Sequence, residues 1–170
     1  MGDKLPIFEI EGDMLDQADK PHILIIEAPF YKDICAELLK GAVKVLDENK
    51  VPFRSVKVPG ALEISAAIRY ALRAKEFSQE FRRFDGFIVL GCVIRGETSH
   101  YDLVCHEATH GVMELAREAT LAVGFGLLTV ENKEQAMARA AIDKGDQGGR
   151  AARACLQMIE LKRQLKLFPR

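Results

Sequence analysis

Apolar residues in this chain alternate between unbroken runs and helically spaced sets. The first run, His22 to Ala28 (HILIIEA), is rich in β-branched residues and stands between Pro21 and Pro29. A strand buried on both faces has this signature, because neither face meets water. From about Tyr31 to Glu48, Ile34, Leu38, Ala42, Val45 and Leu46 recur at helical spacing and share one face. A short strand is predicted around Phe53 to Lys57, and Pro59-Gly60 opens a second helix with Ile64, Ala67, Ile68 and Ala71 on one side. The charged stretch Lys75 to Arg83 (KEFSQEFRR) extends that helix or forms an exposed loop. Gly86 to Cys92 (GFIVLGC) is the second buried strand, a helix runs from Tyr101 to Glu118, and Leu121 to Val130 (LAVGFGLLTV) is a third apolar strand. Two helices follow, roughly Asn132 to Ala140 and Arg150 to Lys166, with Gly145 to Gly149 between them.

Strands that alternate with helices over short connections pair in parallel, since each crossover returns the chain to the same end of the sheet. The expected fold is therefore α/β: a three-layer α/β/α arrangement around a central parallel sheet, doubly wound as in flavodoxin. The 170 residues suit one domain, with residues 1–21 as an extended N-terminal arm, and no repeat or low-complexity linker interrupts them. A net charge of −1 gives no field for gathering nucleic acid or an anionic membrane. No apolar run reaches membrane-spanning length, and the acidic, proline-broken start lacks the features of a signal or transit peptide. The four cysteines, Cys35, Cys92, Cys105 and Cys155, lack C-x-x-C spacing and sit in apolar or helical contexts. They read as reduced thiols of a soluble, cytoplasmic protein. Lys162, Arg163, Lys166 and Arg170 read as a solvated helix end whose cations complement the helix dipole.

In a doubly wound sheet, ligands bind at the carboxyl ends of the strands. Three segments are therefore candidates: Pro29 to Tyr31, Val58 to Glu63 and Val93 to His100. The last is the richest. Thr98 and Ser99 suit a helix cap, and Asp102 would make an imperfect capping box with Ser99. Gly96 permits close backbone approach, and the first-turn N–H groups of the helix form an anion site. His100, at that edge, could exchange protons with a substrate near neutral pH. The plain alternative is a capped helix start with an ordinary exposed histidine. Phe30 could stack on a planar heterocycle or belong to the core. Glu63 could accept hydrogen bonds from a polyol or merely favour its helix N-terminus. Arg139, near Lys144 and the glycine-rich turn, suits phosphate or is an ordinary surface charge.

His106-Glu107-Ala108-Thr109-His110 has the H-E-x-x-H spacing that places two histidines on zinc in metal hydrolases. At about 100° per residue, both histidines point away from the apolar face made by Val104, Ala108, Val112 and Leu115. No third ligand is evident, so a solvated or subunit-facing polar edge is the better reading.

Taken in order, these segments resemble the 6,7-dimethyl-8-ribityllumazine synthase family from about His22 to Leu161. The similar pieces are Phe30 after the first strand, VPGALEI (Val58 to Ile64), GCVIRGETSHYD (Gly91 to Asp102) and FGLLTVENKEQAMARA (Phe125 to Ala140). The third is long and specific. The resemblance implies a transferase that condenses 5-amino-6-(D-ribitylamino)uracil with 3,4-dihydroxy-2-butanone 4-phosphate, releasing phosphate and water, in riboflavin biosynthesis. No metal or redox cofactor is implied. By the same resemblance, Phe30 stacks on the pyrimidine, Ala61, Leu62 and Glu63 contact the ribityl chain, and Cys92, Val93 and Ile94 bind the ring edge largely through backbone groups. Glu97, Thr98 and Arg139 hold the phosphate, His100 donates protons, and Phe125 of a neighbouring subunit closes the pocket.

Four positions depart from the family's usual pattern: Tyr31 for a common Asn, Leu62 for a common Phe, Gln147 for a frequent Lys, and Arg150 for an acidic residue that often orients the histidine. They leave room for a non-catalytic flavin- or lumazine-binding relative, while the His106/His110 pair leaves room for a zinc hydrolase. The resemblance also implies a homo-oligomer, a pentamer or an icosahedral shell of about sixty chains. Ala141 to Gly149 (AIDKGDQGG) lacks the Gly-Asn turn common in shell-forming members, which favours free pentamers.

Overall fold

The computed structural model describes residues 20–77 and 83–167. Its elements run β1 (Ile23–Ala28), α1 (Lys32–Glu48), β2 (Phe53–Lys57), α2 (Glu63–Phe77), β3 (Gly86–Ile94), α3 (His100–Glu118), β4 (Ala122–Val130), α4 (Lys133–Ala140) and α5 (Gln147–Gln164). The strands form one parallel sheet in the order β2-β1-β3-β4, with Ile25 opposite both Ser55 and Ile88 and with Val89 opposite Phe125. This is the parallel α/β/α arrangement that the alternation of elements predicts. The arm expected over residues 1–21 falls almost wholly outside the described residues. Of the charged stretch Lys75 to Arg83, the helix takes the part up to Phe77, and residues 78–82 are not described.

Strand side chains alternate between two cores, as a period of two requires. Ile23, Ile25, Ile88 and Leu90 pack with α1, α4 and α5, through Ile34, Leu38, Ala136, Ala140, Ala152 and Ile159. Leu24, Ile26, Phe87 and Val89 pack with α2 and α3, through Ile64, Ile68, Ala108 and Val112. Both central strands are buried on both faces, which is why β1 and β3 are unbroken apolar runs.

Several expectations are corrected. Pro59-Gly60 does not begin a helix; a turn intervenes and α2 starts at Glu63, whose N–H meets the Gly60 carbonyl at 3.3 Å. Ser99 makes no side-chain cap, and Asp102 turns instead to Arg95, so the capping box does not form. Gly148 and Gly149 are not part of a connecting loop. They belong to the first turn of α5, buried against α1 so closely that a Cβ on Gly148 would overlap the Leu38 carbonyl. Asp146 caps that helix from a left-handed conformation (φ 43°), accepting the Gly149 N–H at 3.1 Å. Lys162 is not a solvated cation: it is buried, and its ammonium donates to the Thr120 carbonyl at 2.7 Å, satisfying the last turn before β4. A buried ammonium needs such a partner, and its aliphatic stem packs where the head could not.

Candidate active site

The carboxyl ends of β1 and β3 are where the strand order reverses, and the chain leaves them toward opposite faces of the sheet. A cavity of about 330 Å³ opens there. Phe30 and Tyr31 enter it from the end of β1, and Gly60, Ala61, Leu62 and Glu63 from the turn that starts α2. Cys92, Val93 and Ile94 come from β3, and Gly96, Thr98, His100, Tyr101 and Val104 from the following loop and α3. Three remote segments thus converge because each follows a strand of one parallel sheet.

Phe30 is 74% exposed and meets Tyr31 edge to face at 5.1 Å, so it belongs to the cleft and not to the core. Leu62 stands 42% exposed on the opposing wall. His100 is the first residue of α3; its backbone N–H donates to Thr98 Oγ1 at 3.3 Å and its side chain is open to the cleft. The positive end of the α3 dipole gives such a cleft affinity for an anion. Burial pushes the Cys92 thiol up to about 12, reinforced by charge at Cys35, Asp33 and Cys105, so Cys92 presents a neutral wall and no thiolate.

Beneath this floor lies a polar group in the sheet itself. Glu27 is buried at the end of β1, accepts the Ser55 hydroxyl from β2, and has the Cys35 sulfur 4.0 Å away. The Glu27 carbonyl also takes the Val58 N–H at 2.8 Å. Glu27 therefore fixes where β2 releases the chain into the Val58–Glu63 segment. Sequence reading missed it, because a single acid within HILIIEA gives no local signal of its partners.

It also gave no site role to Arg95 and Tyr101, and placed Val104 on the apolar face of its helix. Tyr101 and Val104 line the cleft, and the Arg95 guanidinium lies 4.1 Å over the Tyr101 ring while pairing with Asp102 and Glu131. The hydrogen bonds that Arg95 donates to Asp102 and then Glu131 raise its pKa above its already high value, so this charge is permanent.

Three predicted residues stand apart. Glu97 is exposed on the loop but is not among the residues lining the cavity. Phe125 is half-buried on β4, packed with the α2/α3 core, and Arg139 is exposed on α4, donating to the Gln135 carbonyl at 3.0 Å. Neither borders the cavity of its own chain. Of the departures from the family's pattern, Gln147 is the first residue of α5 and Arg150 is exposed one turn on. Their shared helix lies on the α1 side of the sheet.

The H-E-x-x-H segment lies on α3 with Ala108 and Val112 as that helix's buried residues. His106 and His110 are exposed, stacked at 5.8 Å, and His106 Nδ1 contacts Glu107 at 3.1 Å. No group of three metal-binding side chains occurs among the described residues. No described helix is long and apolar enough to cross a membrane. All four cysteines are free thiols.

Comparison with known proteins agrees with this geometry. Residues 20–163 match the family model described as 6,7-dimethyl-8-ribityllumazine synthase. The chain is 50% identical over 146 residues to the 6,7-dimethyl-8-ribityllumazine synthase of Agrobacterium fabrum, an overlap covering 86% of this chain and 97% of that one. It is 52% identical over 144 residues to 6,7-dimethyl-8-ribityllumazine synthase 1 of Rhizobium meliloti, covering 85% and 93%. With the enzyme of the same name from Bartonella tribocorum it shares 46% over 151 residues, covering 89% and 96%. The chain therefore belongs to the 6,7-dimethyl-8-ribityllumazine synthase family.

Proposed function

We propose that this protein condenses 5-amino-6-(D-ribitylamino)uracil with 3,4-dihydroxy-2-butanone 4-phosphate to 6,7-dimethyl-8-ribityllumazine, as a transferase of riboflavin biosynthesis. The observation that carries the reading is one cleft lined together by an exposed aromatic, the end of β3 and a histidine at a helix N-terminus. Phe30 offers its face to the pyrimidine, and Ala61, Leu62 and Glu63 run beside the ribityl chain. The last residues of β3, Cys92 to Ile94, supply backbone groups to the ring edge. Thr98, Glu97 and the start of α3 hold the phosphate, with Arg139 as its cation.

The chemistry needs an amine to attack a ketone, phosphate to leave, and a ring to close with loss of water. Each step moves a proton, and one imidazole at the cleft edge serves them in turn. Holding the two substrates together supplies much of the remaining acceleration. Metal has no part in this scheme.

Three features support a site shared between chains. Phe125 and Arg139 lie outside the cleft of their own chain, and the cleft leaves Phe30 and Leu62 uncovered. On this reading a neighbour's β4 and α4 complete the pocket, in a cytoplasmic homopentamer. The connection from α4 to α5 is a tight turn, closed by Gly145 N–H to the Ala138 carbonyl and Asp146 N–H to the Ala141 carbonyl, both at 3.0 Å. With no Gly-Asn at that turn, we take the free pentamer as the final assembly. Sedimentation measures this: an active single chain would end the shared-site reading, and a shell would end only the restriction to pentamers.

Turnover of both substrates by the purified protein, in the presence of a chelator, tests the activity. Binding of the product without turnover would instead identify a non-catalytic relative. His100→Ala should lower kcat by about ten- to a thousand-fold, and an unchanged kcat would remove His100 from proton transfer.

A further inference from the structure

We propose that Arg95 is the positioning residue of this site, clamping the first turn of α3 to the end of β4 so that His100 is held at the cleft. The inference rests on the reading of His100 as the proton donor.

Arg95 follows β3 directly, and its backbone N–H extends the sheet by donating to the Val130 carbonyl at 2.9 Å. Its Nε meets both carboxylate oxygens of Glu131, at 2.9 and 3.2 Å, and its two Nη atoms meet the two oxygens of Asp102, at 3.2 and 3.3 Å. The guanidinium plane covers the Tyr101 ring at 4.1 Å. One side chain therefore joins three places: the end of β4, the first turn of α3, and the aromatic residue next to His100.

The anchor on β4 is itself fixed. The Glu131 N–H donates to Gln135 Oε1 at 3.1 Å, and Asn132 Oδ1 caps α4 by accepting the Gln135 N–H at 2.9 Å. The start of α3 has weaker ties of its own, the His100 N–H on Thr98 Oγ1 at 3.3 Å and the Asp102 N–H on the Ser99 carbonyl at 3.1 Å. Ser99 makes no side-chain cap, and the loop before it, Arg95 to Ser99, is exposed throughout. Asp102, the acid that would have closed a capping box, is spent on Arg95. Arg95 adds to these a tie from outside the helix, through Asp102 and the Tyr101 ring.

A planar fork of five donors can hold two carboxylates and an aromatic face at once, which a lysine ammonium cannot. Exposed ion pairs contribute little to global stability, so the effect belongs to geometry. Displacing a catalytic group by about 1 Å can cost on the order of a hundredfold in rate.

The test is a double-mutant cycle with hydrogen exchange on the intact protein. Arg95→Ala should lower kcat roughly ten- to a hundred-fold and leave the KM for the pyrimidine within about twofold, with Arg95→Lys recovering only part of the loss. Asp102→Asn, which keeps the side chain's size, should reproduce a smaller share of it. In a His100→Ala background the same Arg95→Ala change should cost less than about threefold, because two residues acting through one group are not additive. Amides 96–104 should exchange faster in Arg95→Ala than in the parent, while those of β1 do not. Equal losses in both backgrounds, full activity of Arg95→Ala, or unchanged exchange over 96–104 would each overturn the proposal. Should the parent protein itself fail to turn over the substrates, the functional reading falls, and exchange alone then decides whether Arg95 holds this turn.

Discussion

The two faces of the sheet are built differently, and the difference separates what holds the chain together from what it uses. On one face α1 buries seven of its 17 residues and α5 seven of 18. On the other, α3 is longer, at 19 residues, yet only Ala108 and Val112 are buried. The closed face is packed backbone to backbone: Gly124 of β4 lies under Ala151 of α5, and Gly148 under Leu38 of α1. The open face carries the exposed apolar side chains Leu62, Tyr70 and Leu103 and, at its upper edge, the cleft, while the closed face exposes Met158 and Leu161 of α5. The closed face supplies the stability of the single chain, and on the function proposed above the open face carries binding and assembly.

The strongest way to break this comparison is on the closed face. Gly148→Ala puts a methyl where the Leu38 backbone stands, its carbonyl carbon 2.6 Å from the new Cβ, and main chain cannot swing aside as a side-chain tip can. Overpacking costs about 1–3 kcal/mol and more when backbone must move, so this variant should lose at least about 3 kcal/mol in urea unfolding. A midpoint within error of the parent would mean that α5 slides freely on α1. The next effect concerns a residue that the cleft of its own chain does not use. Arg139→Ala should raise the KM for the butanone phosphate about tenfold or more, since a charge-assisted hydrogen bond contributes roughly 1.5–3 kcal/mol. Weakened pyrimidine binding with the phosphate substrate unaffected would show that Arg139 was misplaced.

Both experiments touch features that differ in how readily the sequence discloses them. β1 and β3 were legible because burial on both faces demands unbroken apolar runs, and the cleft because Gly91 to Asp102 is contiguous. Helix ends were harder. Those of α1, α3 and α5 turn through left-handed residues that are not glycine, namely Lys50, Thr120 and Lys166 with φ of 53°, 53° and 59°. Glycine is the usual signal for such an end. At Thr120 the conformation persists beside a bond that only the fold creates, from Lys162, 42 residues away in sequence. Gly148 and Gly149 misled in the opposite sense, for a glycine pair reads as a helix breaker until the neighbouring carbonyl is known. Arg95 was quoted within its motif without a role, because Glu131 stands 36 residues further on.

A pH effect should also appear on the closed face. Burial first, and then the Glu27 charge, pushes the Cys35 thiol up to about 11 from an ordinary 9.0, and burial pushes Cys155 to about 12. A folded-state pKa raised above the unfolded one favours the protonated form. The contribution is therefore complete below pH 9 and is lost as pH climbs toward the folded values, by about 1.4 kcal/mol per pH unit per thiol. The urea midpoint should hold between pH 7 and 8.5 and fall between pH 9 and 11, and Cys155→Ala should flatten that fall. An equally steep fall without Cys155 would assign it to other groups.

The smallest effect on the fold should come from the open face, and there it sharpens the comparison most. Leu103 projects from α3 with 57% of its surface exposed. Replacing it by Asp removes little packing within the chain, so the stability of the isolated chain should change by no more than about 0.5 kcal/mol. It also adds a negative charge near the start of a helix, which the dipole tolerates. If the open face meets a neighbour, that charge must be desolvated on assembly without a partner, which an interface core does not tolerate. Leu103→Asp should therefore sediment as smaller species at concentrations where the parent is fully assembled, with circular dichroism unchanged. Activity should fall with the assembled fraction and recover as protein concentration is raised. A variant that keeps the parent's sedimentation and activity would place the contact surface elsewhere on the open face, whereas a loss of helical signal would show that α3 is held by its own chain more firmly than its two buried residues imply.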